Sequence, residues 1–344
     1  MNRLVLIVAI AVMLAVAVLG VGAWQVNSFM STEVSVPDTG FEFDIESGSS
    51  FAAVTQQLVE LGVIESDHWL QLYGRLSGAA NAVQAGHYLI SPGATPASLL
   101  KQFTSGAVRL FSLTIIEGWN YRDLFNALQA NEAINASMTE EDWPALLAEL
   151  GANAMHPEGL FLPETYRFSR GTTDRELLTQ AYSLMQTVLA EEWNNRDEST
   201  PLASSYDALI LASIVEKETA RADERQRIAG VFTRRLEKRM RLQTDPTVIY
   251  GIGPAFNGNL TRADLRADTP YNTYTRHGLP PTPIALPGRA AIHAALNPAP
   301  GDELYFVATG LGDGSHRFSA TKAEHDAAVA EYLRRLRQQR RQGS

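Results

Sequence analysis

One stretch constrains this chain before any other. From Leu4 to Trp24, 21 consecutive residues carry no charge. At ~1.5 Å rise per residue a helix of that length spans ~31 Å, which matches the ~30 Å hydrocarbon core of a bilayer. Arg3 and the N-terminal amine flank one end. Trp24 stands at the other, where an interfacial aromatic belongs. The positive-inside tendency keeps the N-terminus in the cytoplasm and places the residues after Trp24 on the far side of the membrane. The alternative is a cleaved leader, with Gly22-Ala23 as small-residue cleavage chemistry, but the apolar part of a leader runs only ~7–15 residues. Residues 1–24 are therefore expected to form a short cytoplasmic start and a single uncleaved anchor.

The rest must fold in water. At ~150 residues per domain, 344 residues make room for about two domains. Hydrophobic residues at 45% and charged residues at 19% suit globular domains with a core. The formal net charge of −9 speaks against general nucleic-acid binding, which needs a basic domain. With no cysteine, thiolate nucleophiles and Cys-ligated metals are excluded.

The hydrophobic patterning divides the chain. Residues 25–40 read as a polar linker with Pro37 and Gly40. Residues 41–108 read as a small α/β module. In it Phe41, Phe43 and Ile45 alternate as in a strand, and Phe51, Val54, Leu58 and Leu61 recur at helical spacing behind Ser49-Ser50. Gly86 to Ile90 reads as a second strand, and Thr95 caps a helix bearing Leu99, Leu100 and Phe103. Val108 to Ile116 reads as a strand that enters a larger mixed domain, 109–340. The expected fold class is α+β: an N-terminal transmembrane helix, the small module, and the larger domain. In that domain Ser204 to Thr219 is the clearest helix, opened by Ser204 and Asp207 at capping-box spacing. After it come a helix over 223–240, a loop-rich stretch over 243–288, a strand over 304–308 and a helix over 322–337.

The chemistry concentrates in Ala212-Ser213-Ile214-Val215-Glu216-Lys217-Glu218-Thr219. On a helical wheel Glu218 falls between Leu211 and Ile214, while Glu216 points about 160° away, toward water. A carboxylate on an apolar face is costly when charged, so its pKa rises, and a raised-pKa Glu can protonate a leaving oxygen at neutral pH. A Glu at a helix end that pairs with Arg221 or Arg225 fits the wheel as well. A second signal is Gln243-Thr244-Asp245-Pro246-Thr247 together with Tyr271-Asn272-Thr273-Tyr274. Amide, hydroxyl and aromatic groups alternate there, a composition suited to a saccharide groove, or to a loop that satisfies its own backbone. The third is the turn-rich run Pro157 to Tyr166, with Glu158 and Glu164. Residues 221–241 hold eight basic side chains against three acidic ones, a solvated face or an attractor of anions. No H-x-x-H or H-E-x-x-H spacing, P-loop or G-x-S-x-G elbow is present, so no metal site is expected.

These strings together resemble a family, the endolytic murein transglycosylases. They are Ala212 to Ala220, Glu224-Arg225, Met240 to Gly251, Tyr271 to Tyr274, Gly278-Leu279-Pro280-Pro281 and Tyr305 to Ala308, in that order and spacing. The resemblance extends to the anchor and to the small module, which is similar to the LysM-like subdomain of cell-wall enzymes. It implies an enzyme with Glu218 as the catalytic residue, cleaving the MurNAc–GlcNAc bond of peptidoglycan strands without water and leaving 1,6-anhydro-MurNAc ends. It implies no cofactor. Its partners would be glycan strands, the membrane and peptidoglycan synthases, and its place the inner membrane with the catalytic domain outside. Gln243, Thr244, Asp245, Tyr271, Asn272, Tyr274 and Glu158 are the expected substrate-binding residues. Two other classes stay open: a muramidase, which needs a second carboxylate such as Asp245 or Glu158, and a non-catalytic glycan-binding scaffold.

The anchor generates a direct test. A reporter enzyme fused after Ser344 should be active only outside the cytoplasm; activity inside would overturn the orientation, and a mature chain starting near Trp24 would show cleavage instead.

Overall fold

The structure is a computed structural model that describes residues 3–342. The first two residues of the expected cytoplasmic start, Met1 and Asn2, lie outside the described residues. The architecture is mixed α+β with one N-terminal apolar helix. The chain divides into two compact units: residues up to Phe111 with Arg167–Gly171, and Ser112–Tyr166 with the chain from Thr172 onward.

In the first unit the order is α1 (Arg3–Ser31), β1 (Phe41–Ile45), α2 (Phe51–Glu60), α3 (His68–Leu76), β2 (Gly86–Ile90) and α4 (Pro96–Ser105). Within α1, Val5–Ser31 is long and apolar enough to cross a membrane. The helix does not stop at Trp24; it takes in the first seven residues of the expected linker. The reason is packing, because Met30 is buried in the core of this unit with Val26 and Phe29 against it. β1 and β2 pair antiparallel from Phe41↔Ile90 to Ile45↔Gly86, so Phe43 and Ile45 face inward. Phe43 and Tyr88 both meet Phe103 of α4, at ring separations of 5.6 and 4.8 Å. The caps fall where expected: the Ser50 side chain accepts from Ala53 N–H, and Thr95 forms a capping box with Ser98. α3 comes so close to α2 that a Cβ on Gly74 would lie 2.4 Å from the Phe51 ring, so only glycine fits there.

The second unit is mostly helical. β3 (Leu110–Thr114) pairs with β4 (Thr165–Ser169), and the division between the units falls within these two strands. Between them lie α5 (Tyr121–Gln129) and α6 (Trp143–Glu149). After them come α7 (Asp174–Asn194), α8 (Ser205–Glu218), α9 (Arg225–Glu237), α10 (Asp245–Ile252) and α11 (Arg289–Leu296). A β5 (Tyr305–Ala308) and β6 (His316–Ser319) hairpin and α12 (Lys322–Gln342) close the unit. α8 is the centre of it, packed against α7, α9, α10 and α11.

Every residue from Ala208 to Val215 is buried. Such a helix has no solvent face, which changes the wheel argument. Glu216 does not point to water: its side chain is 6% exposed, accepts the Gly288 N–H at 3.0 Å and lies 3.8 Å from Arg225. The wheel misplaced it because it assumed that only one side of α8 is covered.

The capping box holds as the spacing implied. Ser204 Oγ accepts from Asp207 N–H, and the Asp207 carboxylate accepts from Ser204 N–H, each at 3.1 Å. Removing an N-cap hydroxyl costs about 1 kcal/mol. Ser204→Ala should therefore lower unfolding free energy by about 1 kcal/mol in denaturant titration. An unchanged midpoint would show that neighbouring helices alone hold the start of α8.

Candidate active site

The site builds from the end of α8. Glu218 is its last residue, and burial is what chiefly raises its pKa above the usual carboxylate range. The C-terminal end of a helix carries partial negative charge, which adds to the cost of ionising a carboxylate there. Thr244 Oγ1 donates to Glu218 Oε1 and pulls the pKa back; the neighbouring charge of Asp245 raises it, and His316 and Arg235 lower it.

The loop before α10 supplies that hydroxyl. Gln243 is exposed and adopts φ +52°, the left-handed region that a non-glycine residue seldom occupies. The turn is tied down from the facing loop: Gln243 N–H donates to Thr273 O at 3.2 Å, and Thr244 N–H to Thr273 Oγ1 at 3.1 Å. Thr247 Oγ1 lies 2.9 Å from Thr273 Oγ1 and donates to Thr244 O. Two further buried threonines, Thr247 and Thr273, thus fix the one that touches Glu218. Asp245 is exposed and accepts from the Tyr274 hydroxyl, whose own pKa burial raises. The cations are held as firmly. Arg235, 7% exposed, donates to Leu304 O and Leu242 O, and His316 Nδ1 sits 2.7 Å from Glu224 Oε2.

A second buried carboxyl, in the turn before β4, meets α10 at Tyr250. Glu158 has no exposed surface. Tyr250 Oη donates to its Oε2 at 2.9 Å, and Tyr121 N–H reaches both oxygens at 3.2 and 3.4 Å. Burial pushes its carboxyl up to about 7, against the pull of these donors. Gly159 makes the turn possible, with φ +80° and a Cβ position 2.5 Å from the Pro283 side chain. Tyr250 meets Tyr271 edge-on at 5.0 Å, and the Tyr271 hydroxyl is 2.8 Å from Thr282 Oγ1.

The expected residues thus separate. Glu218, Thr244, Asp245 and Tyr274 form one cluster, with Gln243 exposed beside it. Glu158 and Tyr271 meet in another, through Tyr250. Asn272 and Glu158, both among the expected residues, are buried. Asn272 is 1% exposed; its amide donates to the carbonyls of Asp264, Leu265 and Ala267 and its Oδ1 accepts from Tyr274 N–H, so it shapes the loop and presents nothing to a ligand. Glu158 is sealed, with both oxygens engaged by Tyr250 and the Tyr121 N–H. Tyr250, Thr247, Thr273, Arg235 and His316 complete the two clusters; Thr247 and Thr273 stand in the strings read as a saccharide groove, but none of the five was among the expected binding residues. Of the basic run, Arg227 and Arg234 pair with Glu303, and Arg221 with Asp223.

With this geometry in place, comparison with known proteins decides the family. The YceG-like family pattern matches residues 43–331. The chain belongs to the YceG-like family. Among similar proteins, the endolytic murein transglycosylase of Bacillus subtilis (strain 168) is 33% identical over 317 residues, covering 86% of this chain and 85% of its own. A protein of the same name from Streptococcus pneumoniae serotype 2 (strain D39 / NCTC 7466) is 28% identical over 323 residues, which span 84% of this chain and 58% of that protein. A crystal structure of a yceG-like protein from Listeria monocytogenes superposes with a TM-score of 0.55 at 30% identity, covering 85% of this chain and 99% of that one.

For this YceG-like chain, Glu158 makes the stability depend on pH. An acid whose folded pKa is raised stabilises the fold below its unfolded pKa and loses that contribution as pH climbs to the folded value. The window runs from about 4.5 to about 7, and the loss is on the order of 3 kcal/mol. Glu158→Gln keeps a partner for Tyr250 and removes the titration. The melting temperature of the wild type should fall across that window more steeply than that of the variant; parallel curves would show that Glu158 does not titrate there.

Proposed function

We propose that the protein is an endolytic lytic transglycosylase that cuts the MurNAc–GlcNAc bond of peptidoglycan, with Glu218 as its acid and base. The observation that carries the assignment is the half-buried carboxyl of Glu218 at the C-terminal end of α8, its pKa raised by desolvation and its Oε1 clasped by the Thr244 hydroxyl. The names of the Bacillus subtilis and Streptococcus pneumoniae relatives support the same activity.

In the proposed reaction, Glu218 starts protonated. Thr244 donates to Oε1, so the acid proton sits on Oε2 and passes to the glycosidic oxygen as the bond to the muramoyl anomeric carbon breaks and oxocarbenium character develops. The carboxylate then takes the proton of the muramoyl C6 hydroxyl, whose oxygen closes on the anomeric carbon. The products are a free GlcNAc hydroxyl and a 1,6-anhydro end, and the enzyme regains its proton. An intramolecular hydroxyl has a high effective concentration, so no protein nucleophile is required. Burial chiefly raises the Glu218 carboxyl and like-charge repulsion from Asp245 adds to it, and Gln243, Tyr271 and Tyr274 are assigned to the walls of the glycan groove. The muramidase alternative has one exposed candidate second carboxylate, Asp245.

In the same proposal, α1 anchors the chain in the inner membrane, its N-terminus cytoplasmic and both units outside. The β–α–α–β order of β1, α2, α3 and β2 supports a LysM-like module. Peptidoglycan synthases are its proposed protein partners, on the grounds that a tethered cutter works where strands are made.

Glu218→Gln preserves shape and removes proton exchange. Cleavage of purified murein should drop by at least ~10²–10⁴. Mass spectrometry of wild-type products should show anhydro ends. Reducing ends would establish the muramidase instead, and no cleavage by the wild type would leave the scaffold.

A further inference from the structure

The most unusual surface lies in the first unit, on α3. At 100° per residue Leu72, Leu76, Trp69 and Tyr73 fall within an arc of about 100°, an apolar stripe of ordinary width for a helix that packs on something. The stripe faces away from the core. The buried residues of α3 are Leu70 and Gly74, on the other side, whereas Leu72, Tyr73 and Leu76 are 37%, 41% and 80% exposed. Contiguous exposed apolar surface of this kind marks an interaction site.

Its position identifies the partner. Trp69 and Trp24 line one cavity of about 660 Å³, with Ser28, Phe29, Gly62 and Ile64 between them. Trp24 is the last residue before Gln25 interrupts the apolar run of α1, and Trp69 borders the same cavity as Trp24. Two tryptophans from separate elements then share the depth at which aromatic residues gather in membrane proteins. We propose that α3 is an interfacial helix. It lays Trp69, Leu72, Tyr73 and Leu76 into the outer surface of the bilayer that α1 spans, so the module sits on the membrane. The charged neighbours Glu60, Glu65 and Asp67 outnumber Arg75. The contact therefore depends on apolar area, and neither anionic lipid nor low salt should strengthen it. The inference rests on α1 being a membrane span.

The absence of cysteine makes the test clean. Single cysteines at Leu76, at Arg75 (off the stripe on the same helix) and at Met13 in α1 are labelled with an environment-sensitive fluorophore. The full chain is then reconstituted in phosphatidylcholine vesicles. Lipids brominated near the headgroup should quench the Leu76 label several-fold more than the Arg75 label, unchanged by salt or added phosphatidylglycerol. Lipids brominated deep in the chain should quench Met13. Met13 quenched with Leu76 unquenched overturns this proposal alone; Met13 unquenched overturns the anchor and this proposal together. Quenching of Leu76 that needs anionic lipid and vanishes in salt overturns the apolar account. A Leu76 label that is blue-shifted, unquenched and sensitive to dilution of the protein in lipid overturns it too, and points to a second copy as the partner.

Discussion

A helix enclosed on every side imposes its terms on whatever charge it carries. α8 is enclosed in this way from Ala208 to Val215, and its last turn brings two carboxylates into ground where water is scarce. The two are resolved differently. Glu216 is met by the Gly288 N–H and by Arg225, which make an ionised group tolerable. Burial raises both carboxyls, and each has an acidic neighbour, Glu117 for Glu216 and Asp245 for Glu218, but Glu218 receives a single hydroxyl from Thr244. The chemical difference between two glutamates two residues apart is thus set by what the neighbouring loops offer each of them. Those loops are themselves pinned to α8: Ser213 Oγ accepts from Ile284 N–H, and Lys217 donates to Gly118 O.

The parts of this arrangement legible from the sequence are those whose signal is local. β1, α2, β2 and α4 announce themselves through alternation, helical spacing and the caps at Ser50 and Thr95. Ser204 and Asp207 mark the start of α8 for the same reason. What the sequence left unread depends on tertiary surroundings. The wheel located Glu218 on an apolar face but sent Glu216 to solvent, because nothing in 205–218 reveals that four helices cover it. Asn272 looked like a ligand-binding amide; only the fold shows three carbonyls converging on it. Within the stretch expected to be loop, Asp245–Ile252 forms a helix with Pro246 in its first turn, where proline is tolerated. Tyr250 then reaches Glu158, 92 residues away in sequence, a contact that no spacing rule anticipates. The helix over 68–76 has no counterpart among the elements read from the sequence, and its stripe, whose apolar side the core does not need, went unread with it.

The continuity of α1 has a mechanical meaning. A flexible tether would let the first unit wander through a volume set by chain length, with its height above the bilayer fluctuating. Here the helix passes from Trp24 to Ser31 without a break and ends with Met30 embedded in the core. Seven residues at ~1.5 Å each give a stem of only ~10 Å. With α1 in a bilayer, that stem works as a fixed standoff. It confines the first unit to a thin layer at the membrane surface, and anything more than a few nanometres out lies beyond that unit's reach.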